Sequence, residues 1–234
     1  MKQIIITIIA VVAIIGGAIF LSSNDEQSAG ATSNNYYGAD EAVVTLTEYG
    51  DFECPACAGF FPIVSQVKEQ FKDQLRFEFK HFPLVQIHQN ATAAHRAAQA
   101  AANQGKFWEM HDLLYQSQSS WNGQATTNPT SVFEQYARDL NLDMDQFIAD
   151  AASSNTLAII NADIADGKEL GTNSTPTFYL DGEQIEDLST ISTVEGLTDL
   201  IQNKINEKTG QDSAENDDET SDEQAKEPED SLTE

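Results

Sequence analysis

Two cysteines are all that 234 residues carry, and only 12 lysines and arginines face 38 aspartates and glutamates. A structural zinc site would need two further ligands, yet His81, His88, His95 and His111 are scattered rather than paired. A purely structural disulfide between Cys54 and Cys57 would close so short a loop that it contributes only about 2 kcal/mol. Inert buried thiols fit poorly with the acidic residues just before them. Redox chemistry is the reading that best survives these comparisons. The scarcity of basic residues leaves a formal net charge of −26, and nucleic acid and anionic lipid are poor partners for such a surface. The acidity names no substrate, since solvated carboxylates ordinarily serve solubility or a salty milieu. No cysteine closely follows the apolar N-terminus, which sets a lipoprotein aside.

What is present centres on Glu48-Tyr49-Gly50-Asp51-Phe52-Glu53-Cys54-Pro55-Ala56-Cys57. Val43 to Tyr49 alternates as a strand does, and places Glu48 on one face with Val44 and Leu46. After the motif, Phe60, Phe61, Val64, Val67 and Phe71 recur at helical spacing. The cysteines therefore open a helix, where unpaired N–H groups and the positive end of the dipole favour a thiolate at Cys54. Pro55 suits a first-turn position, because its missing N–H is one the helix does not use. Glu48 has two readings: a strand-end carboxylate that reaches solvent, or a buried acid beside the thiols with a raised pKa, relaying a proton.

Ile4 to Leu21 contains no charge and spans roughly 27 Å as a helix, close to a bilayer core. That exceeds the apolar core of a cleavable signal, and Ala29-Gly30-Ala31 lies well past its end, so an uncleaved transmembrane anchor over 1–21 is favoured over a cleaved one. Lys2 precedes the segment and Asp25 and Glu26 follow it, which puts the N-terminus in the cytoplasm and the rest outside. Residues 22–40 read as a flexible linker, and the domain proper as 41–206.

Within the domain, Leu75 to Leu84 is a second strand, completing a βαβ unit. A helical insertion over about 86–170 follows, with helices expected over 88–104, 106–115, 129–140, from Asp143 or Asp145 onward, and 158–170. The histidines are expected at helix surfaces or core edges, Phe107 and Trp108 in the core, and Trp121 in a polar loop that could border a groove. Thr177 to Leu180 is a strand, Asp181-Gly182 a hairpin turn, and 194–205 the last helix. Pro176 stands at a strand start, where a cis bond is conceivable. Residues 207–234 are acidic and nearly devoid of apolar side chains, and are expected to be disordered.

The order strand, Cys54-Pro55-Ala56-Cys57, helix, strand, helical insertion, Thr175-Pro176-Thr177-Phe178, hairpin, helix resembles the DsbA-like branch of the thioredoxin superfamily, especially membrane-tethered disulfide-forming proteins of Gram-positive bacteria. Lys106-Phe107-Trp108 is also similar to a family motif. The resemblance implies an α/β thioredoxin fold with a helical insertion. It makes Cys54 the exposed attacking sulfur, Cys57 the buried resolving one and Pro176 a cis-proline beside them. The Thr175 backbone, with Pro55 and Ala56, would border an extended substrate. Glu48 matches the family's buried acid, with Lys80 as its expected partner. One departure concerns Ala56: the strongest oxidants have histidine there, so a less extreme Cys54 pKa is expected. The implied protein is a membrane-anchored extracytoplasmic oxidase. It passes its own disulfide, with no other cofactor, to unfolded exported proteins, and a quinone-linked membrane protein reoxidises it. The competing readings are a reductase or isomerase, and a non-enzymatic binding domain on the same scaffold.

Overall fold

Alternating burial along the two central strands organises the structure, a computed structural model that describes residues 31–210. In β2 (Val44–Gly50) the side chains of Val44, Leu46 and Glu48 are covered while Thr45 and Thr47 are half-covered. In β3 (Leu75–His81) Leu75, Phe77, Phe79 and His81 point inward and Arg76, Glu78 and Lys80 outward. These join β1 (Tyr36–Gly38), β4 (Thr177–Leu180) and β5 (Glu183–Gln184) in a sheet of order β1-β3-β2-β4-β5. The start of β2 bonds Gln74, just before β3, and its end bonds Phe82, just after it, so the two strands run parallel. A parallel pair needs a crossover, and α1 (Pro55–Gln70) supplies it. β1 lies antiparallel to β3, pairing Tyr37 with Phe77, and β5 antiparallel to β4, pairing Tyr179 with Gln184. The β4–β5 turn uses Asp181 and Gly182 at φ 50° and 84°, the doubly left-handed turn that an Asp-Gly pair suits.

The chain divides into two compact units. One contains Glu48–Ala58 and Phe79–Thr177 together with the described residues up to Asn35. Its helices are α2 (Ala91–Ala102), α3 (Phe107–Gln116), α4 (Gln118–Trp121), α5 (Thr130–Asp139), α6 (Met144–Ala152) and α7 (Ser154–Glu169). Side-chain caps set two of their starts: Asp143 accepts from Gln146 N and Ser153 from Thr156 N, each worth about 1 kcal/mol. The other unit contains Tyr36–Thr47, Gly59–Glu78 and the described residues from Phe178 on. There Val64, Val67 and Phe71 are buried, and α8 (Val194–Thr209) covers Leu197, Ile201 and Ile205.

Several expectations change. The linker expected over 22–40 is structured in its described part: Ser33 is buried and Tyr36–Gly38 forms an edge strand. The local composition is polar, but the partners that order it are distant in sequence. The last helix continues past Ile205 to Thr209, where Gly210 caps it at φ 72°. Residues 207–209 of the tail expected to be disordered over 207–234 are therefore helical, and the rest of that tail from 211, like the expected anchor over 1–21, lies outside the described residues. Among the described residues, no helix is long and apolar enough to cross a membrane.

Candidate active site

The last residue of β2 is Gly50, where any Cβ would fall 2.4 Å from the Phe79 ring and 2.9 Å from Glu48 Oε1, so only glycine fits. The next four residues, Asp51 to Cys54, are all buried. Cys54 N donates to Asp51 O at 3.1 Å, and Cys54 O accepts the first α1 bond, from Ala58 N, at 3.1 Å. Cys54 is thus the residue from which α1 starts, Pro55 takes the first helical position, and Cys57 lies one turn in. Pro55 and Ala56 are exposed. Neither sulfur is widely open: Cys54 keeps 6 % of its surface accessible and Cys57 none. The "exposed" sulfur implied by the resemblance is therefore the less buried member of a covered pair.

Both cysteines are free thiols. Cys54 Sγ lies 3.4 Å from the Thr175 carbonyl, and the Thr175–Pro176 peptide is cis. Thr175 Oγ1 is buried and has no other partner, so its hydroxyl can turn toward the sulfur when the thiol ionises. The Cys54 pKa is lowered to about 5: the Cys57 thiol donates to it, burial opposes, and the Thr175 side chain and the N–H groups of Cys57 and Ala56 add to the lowering. Cys57 goes the other way, well above an ordinary thiol, through burial first, then its bond to Cys54 and the negative charge of Glu48. The structure thus brings Cys54, Cys57, Glu48, Thr175 and Pro176 together. Glu48 is 3 % exposed, which rules out the solvent-reaching reading. The carboxylate beside Lys80 is Asp163, 4.0 Å away, and not Glu48; Lys80 Nζ also donates to Ser33 O at 3.1 Å.

The acids flanking the motif, Asp51 and Glu53, are each held by several donors. Asp51 accepts Glu53 N at 2.8 Å, Leu84 N at 2.8 Å and His88 Nδ1 at 2.7 Å, with His95 Nε2 3.8 Å away. Burial raises its pKa, but His95, Leu84 N and His88 together outweigh it, and the net shift is downward. Glu53 accepts Asn90 N and Gly123 N, each at 2.7 Å. These bonds hold the walls of a cleft of about 500 Å³ that opens beside Pro55, between Val85–Gln89 and Asn122–Gln124. Val85 and Ile87 on that rim are 51 % and 73 % exposed.

Three of the four histidines depart from the surface or core-edge positions expected of them, while His88 is half-buried as expected. His81, His95 and His111 are buried in the core, all within ring contact of Phe52. Trp121 is also buried, its Nε1 donating to Leu114 O at 2.9 Å, instead of bordering a groove. Gln118 carried no signal in the sequence, yet its Nε2 donates to the carbonyls of Phe52 at 2.8 Å and Cys54 at 3.0 Å. Among the described residues, no group of three His, Cys, Asp or Glu side chains is arranged to hold a metal ion.

A helix-start dithiol of unequal sulfurs, facing a cis-proline in this strand order, is the equipment of a thiol–disulfide oxidoreductase. The Thioredoxin family model matches residues 31–203, and the chain belongs to that family. Its structural neighbours are DsbA-like oxidoreductases. A thioredoxin-like oxidoreductase from Silicibacter pomeroyi is 25% identical, with a TM-score of 0.58 over 76% of this chain and 92% of its own. BdbD from Bacillus subtilis shares the fold at a TM-score of 0.64 and 19% identity, over 76% and 97% of the two chains. Among curated proteins, a Na(+)/H(+) antiporter NhaA 1 of Salinispora arenicola is 40% identical over 148 residues, which is 63% of this chain and 21% of that protein. The chain thus spans about a fifth of that relative's length.

Proposed function

We propose that the chain is a membrane-anchored, extracytoplasmic thiol–disulfide oxidoreductase that introduces disulfides into exported proteins. The observation that carries this reading is the asymmetry of the dithiol: Cys54 is lowered to about 5 while Cys57 is raised and shielded. A stabilised Cys54 thiolate favours the reduced pair, so the Cys54–Cys57 disulfide is a willing oxidant. A substrate thiolate attacks Cys54 Sγ, the intramolecular S–S bond breaks, and Cys57 leaves with the electron pair and takes up a proton. The second substrate thiolate then attacks the substrate sulfur of the mixed disulfide and Cys54 leaves as its thiolate. Substrate loses two electrons and the enzyme dithiol gains them.

Glu48 serves as the proton relay for Cys57, whose pKa its charge raises. Thr175 pairs with the extended substrate backbone beside Cys54, and the cleft beside exposed Pro55 gives the flanking chain room. Unfolded or reduced exported proteins are the substrates, a quinone-linked membrane protein restores the disulfide, and the segment 4–21 is the anchor. Cation transport, the activity named for the curated relatives, finds no support in the described residues. The experiment is equilibration with glutathione followed by reaction of the oxidised chain with a reduced two-cysteine peptide. An oxidase shows a potential well above the about −270 mV of thioredoxin and leaves the peptide oxidised. A potential at or below that value, with reduction of a disulfide peptide instead, overturns the direction.

A further inference from the structure

Gln118 stands on α4, 64 residues from Cys54 in sequence. Its Nε2 has two hydrogens, and two carbonyls of the catalytic loop receive them, Phe52 at 2.8 Å and Cys54 at 3.0 Å. The rest of the Cys54 backbone is held by backbone alone: N to Asp51 O and O from Ala58 N, both 3.1 Å. The element carrying Gln118 is itself fixed, since Trp121 Nε1 binds Leu114 O at 2.9 Å and Asn90 Nδ2 binds Trp121 O at 2.8 Å. We propose that Gln118 is a positioning residue for the reactive sulfur, a single side-chain amide through which the helical insertion holds the residue bearing it. The proposal rests on the reading of Cys54 as the attacking sulfur.

The physical case has two parts. Both carbonyl oxygens carry partial negative charge close along the chain to the thiolate, and donation by Gln118 offsets that charge. The same bonds fix the turn that keeps Sγ within reach of the Thr175 hydroxyl and the Ala56 and Cys57 N–H groups, the groups that lower its pKa. Without the amide, two carbonyls lose a donor and the loop loses its only side-chain grip on the Cys54 carbonyl among the described residues. The ionisable groups around the sulfur, Cys57, Glu48, Asp51 and Tyr115, are unchanged by a neutral replacement of Gln118.

The test is a pH titration of thiolate ultraviolet absorbance in the reduced full chain, in detergent, with Gln118→Met, Gln118→Glu and, as a control on the stability of the insertion, Arg96→Met. Arg96 donates to the Ala151 and Ser153 carbonyls within the insertion and, among the described residues, makes no hydrogen bond to the loop. Gln118→Met should raise the Cys54 pKa by about one unit, about a tenfold smaller thiolate fraction at a pH below it, Gln118→Glu should raise it further because its carboxylate adds a charge to the lost donor, and both should shift the glutathione equilibrium toward the oxidised chain. Arg96→Met should lower the melting temperature without moving the titration. An unmoved pKa in Gln118→Met, or an equal rise in Arg96→Met, overturns the proposal. If Gln118→Met does not fold, Gln118→Asn decides, because an amide one methylene short should still raise the pKa and no shift there overturns the proposal. A wild-type chain with no thiolate below pH 8 fails differently: it overturns the underlying assignment of Cys54, and this proposal with it.

Discussion

The outer edge and the inner side of the first turn of α1 hold the same chemical group in opposite states. Cys54 and Cys57 are three residues apart, yet one thiol is lowered to about 5 and the other pushed well above its usual value. Burial is the first cause of the rise at Cys57, but Cys54 is covered too and still falls, so burial alone does not set the two apart. Donors do: Cys54 faces a thiol, a hydroxyl and two N–H groups, whereas Cys57 faces the Glu48 charge and donates to Cys54. In two buried carboxylates of that unit the balance between burial and donors falls opposite ways. Asp51 has two imidazoles and two N–H groups around it and is lowered despite burial. Asp163 accepts Ser33 N at 2.7 Å, Ser33 Oγ at 2.5 Å and His81 N at 2.9 Å, with Lys80 at 4.0 Å, and burial still raises it.

The strongest way to break the comparison of the sulfurs is to remove each in turn. Cys57→Ala should accumulate mixed disulfides with exported proteins on Cys54, and Cys54→Ala should trap few or none; affinity capture under alkylating conditions reads the difference. Equal trapping by both would end the assignment of roles. Next in size is Asp51→Asn, which removes a buried charge from its donors and should cost about 3 kcal/mol at neutral pH. The sign with pH follows from a lowered acid: its contribution is present above the unfolded value of 3.8 and lost as pH falls through the folded pKa. Wild type and Asp51→Asn should therefore converge in urea-unfolding midpoint on acidification.

Glu48→Gln sharpens the inner half of the comparison. In a Cys54→Ala background it should lower the Cys57 pKa by about one unit, read from the cysteine Cβ chemical shift against pH, because one cause of the rise is the Glu48 charge. No change would remove Glu48 from the account. Asp163→Asn should be milder than Asp51→Asn. Its raised pKa means the folded state carries a penalty above that pKa that is relieved below it, so wild type should gain on the variant as pH falls. Smallest of all, deleting residues 211–234 should leave the melting temperature within about one degree, since the tail offers almost no apolar surface.

The motif, the strand before it, the Thr175–Pro176 pair and the Asp-Gly hairpin were legible because each is a local pattern of residue type and spacing. Helices of the insertion were legible for the same reason, with starts displaced by one to four residues, except α4, which reads as polar loop. What stayed hidden was pairing at long range. Ser33 meets Asp163 across 130 residues and Gln118 meets Cys54 across 64, and no period in the sequence encodes either contact. His95 and His111 escape a sequence reading because a polar side chain in a helix looks like a surface residue until its aromatic neighbours are known, whereas His81 continues the inward alternation of β3. Phe52, stacked on Phe79 at 4.9 Å between centroids, gathers three of them into the core.

The central claim is that Cys54 is a thiolate under physiological conditions and Cys57 is not. Ultraviolet titration of the reduced wild-type chain beside Cys54→Ser tests it most directly. The account predicts a single inflection near pH 5 in wild type that vanishes in Cys54→Ser. An inflection near pH 9, or one near 5 that survives the loss of Cys54, would contradict it.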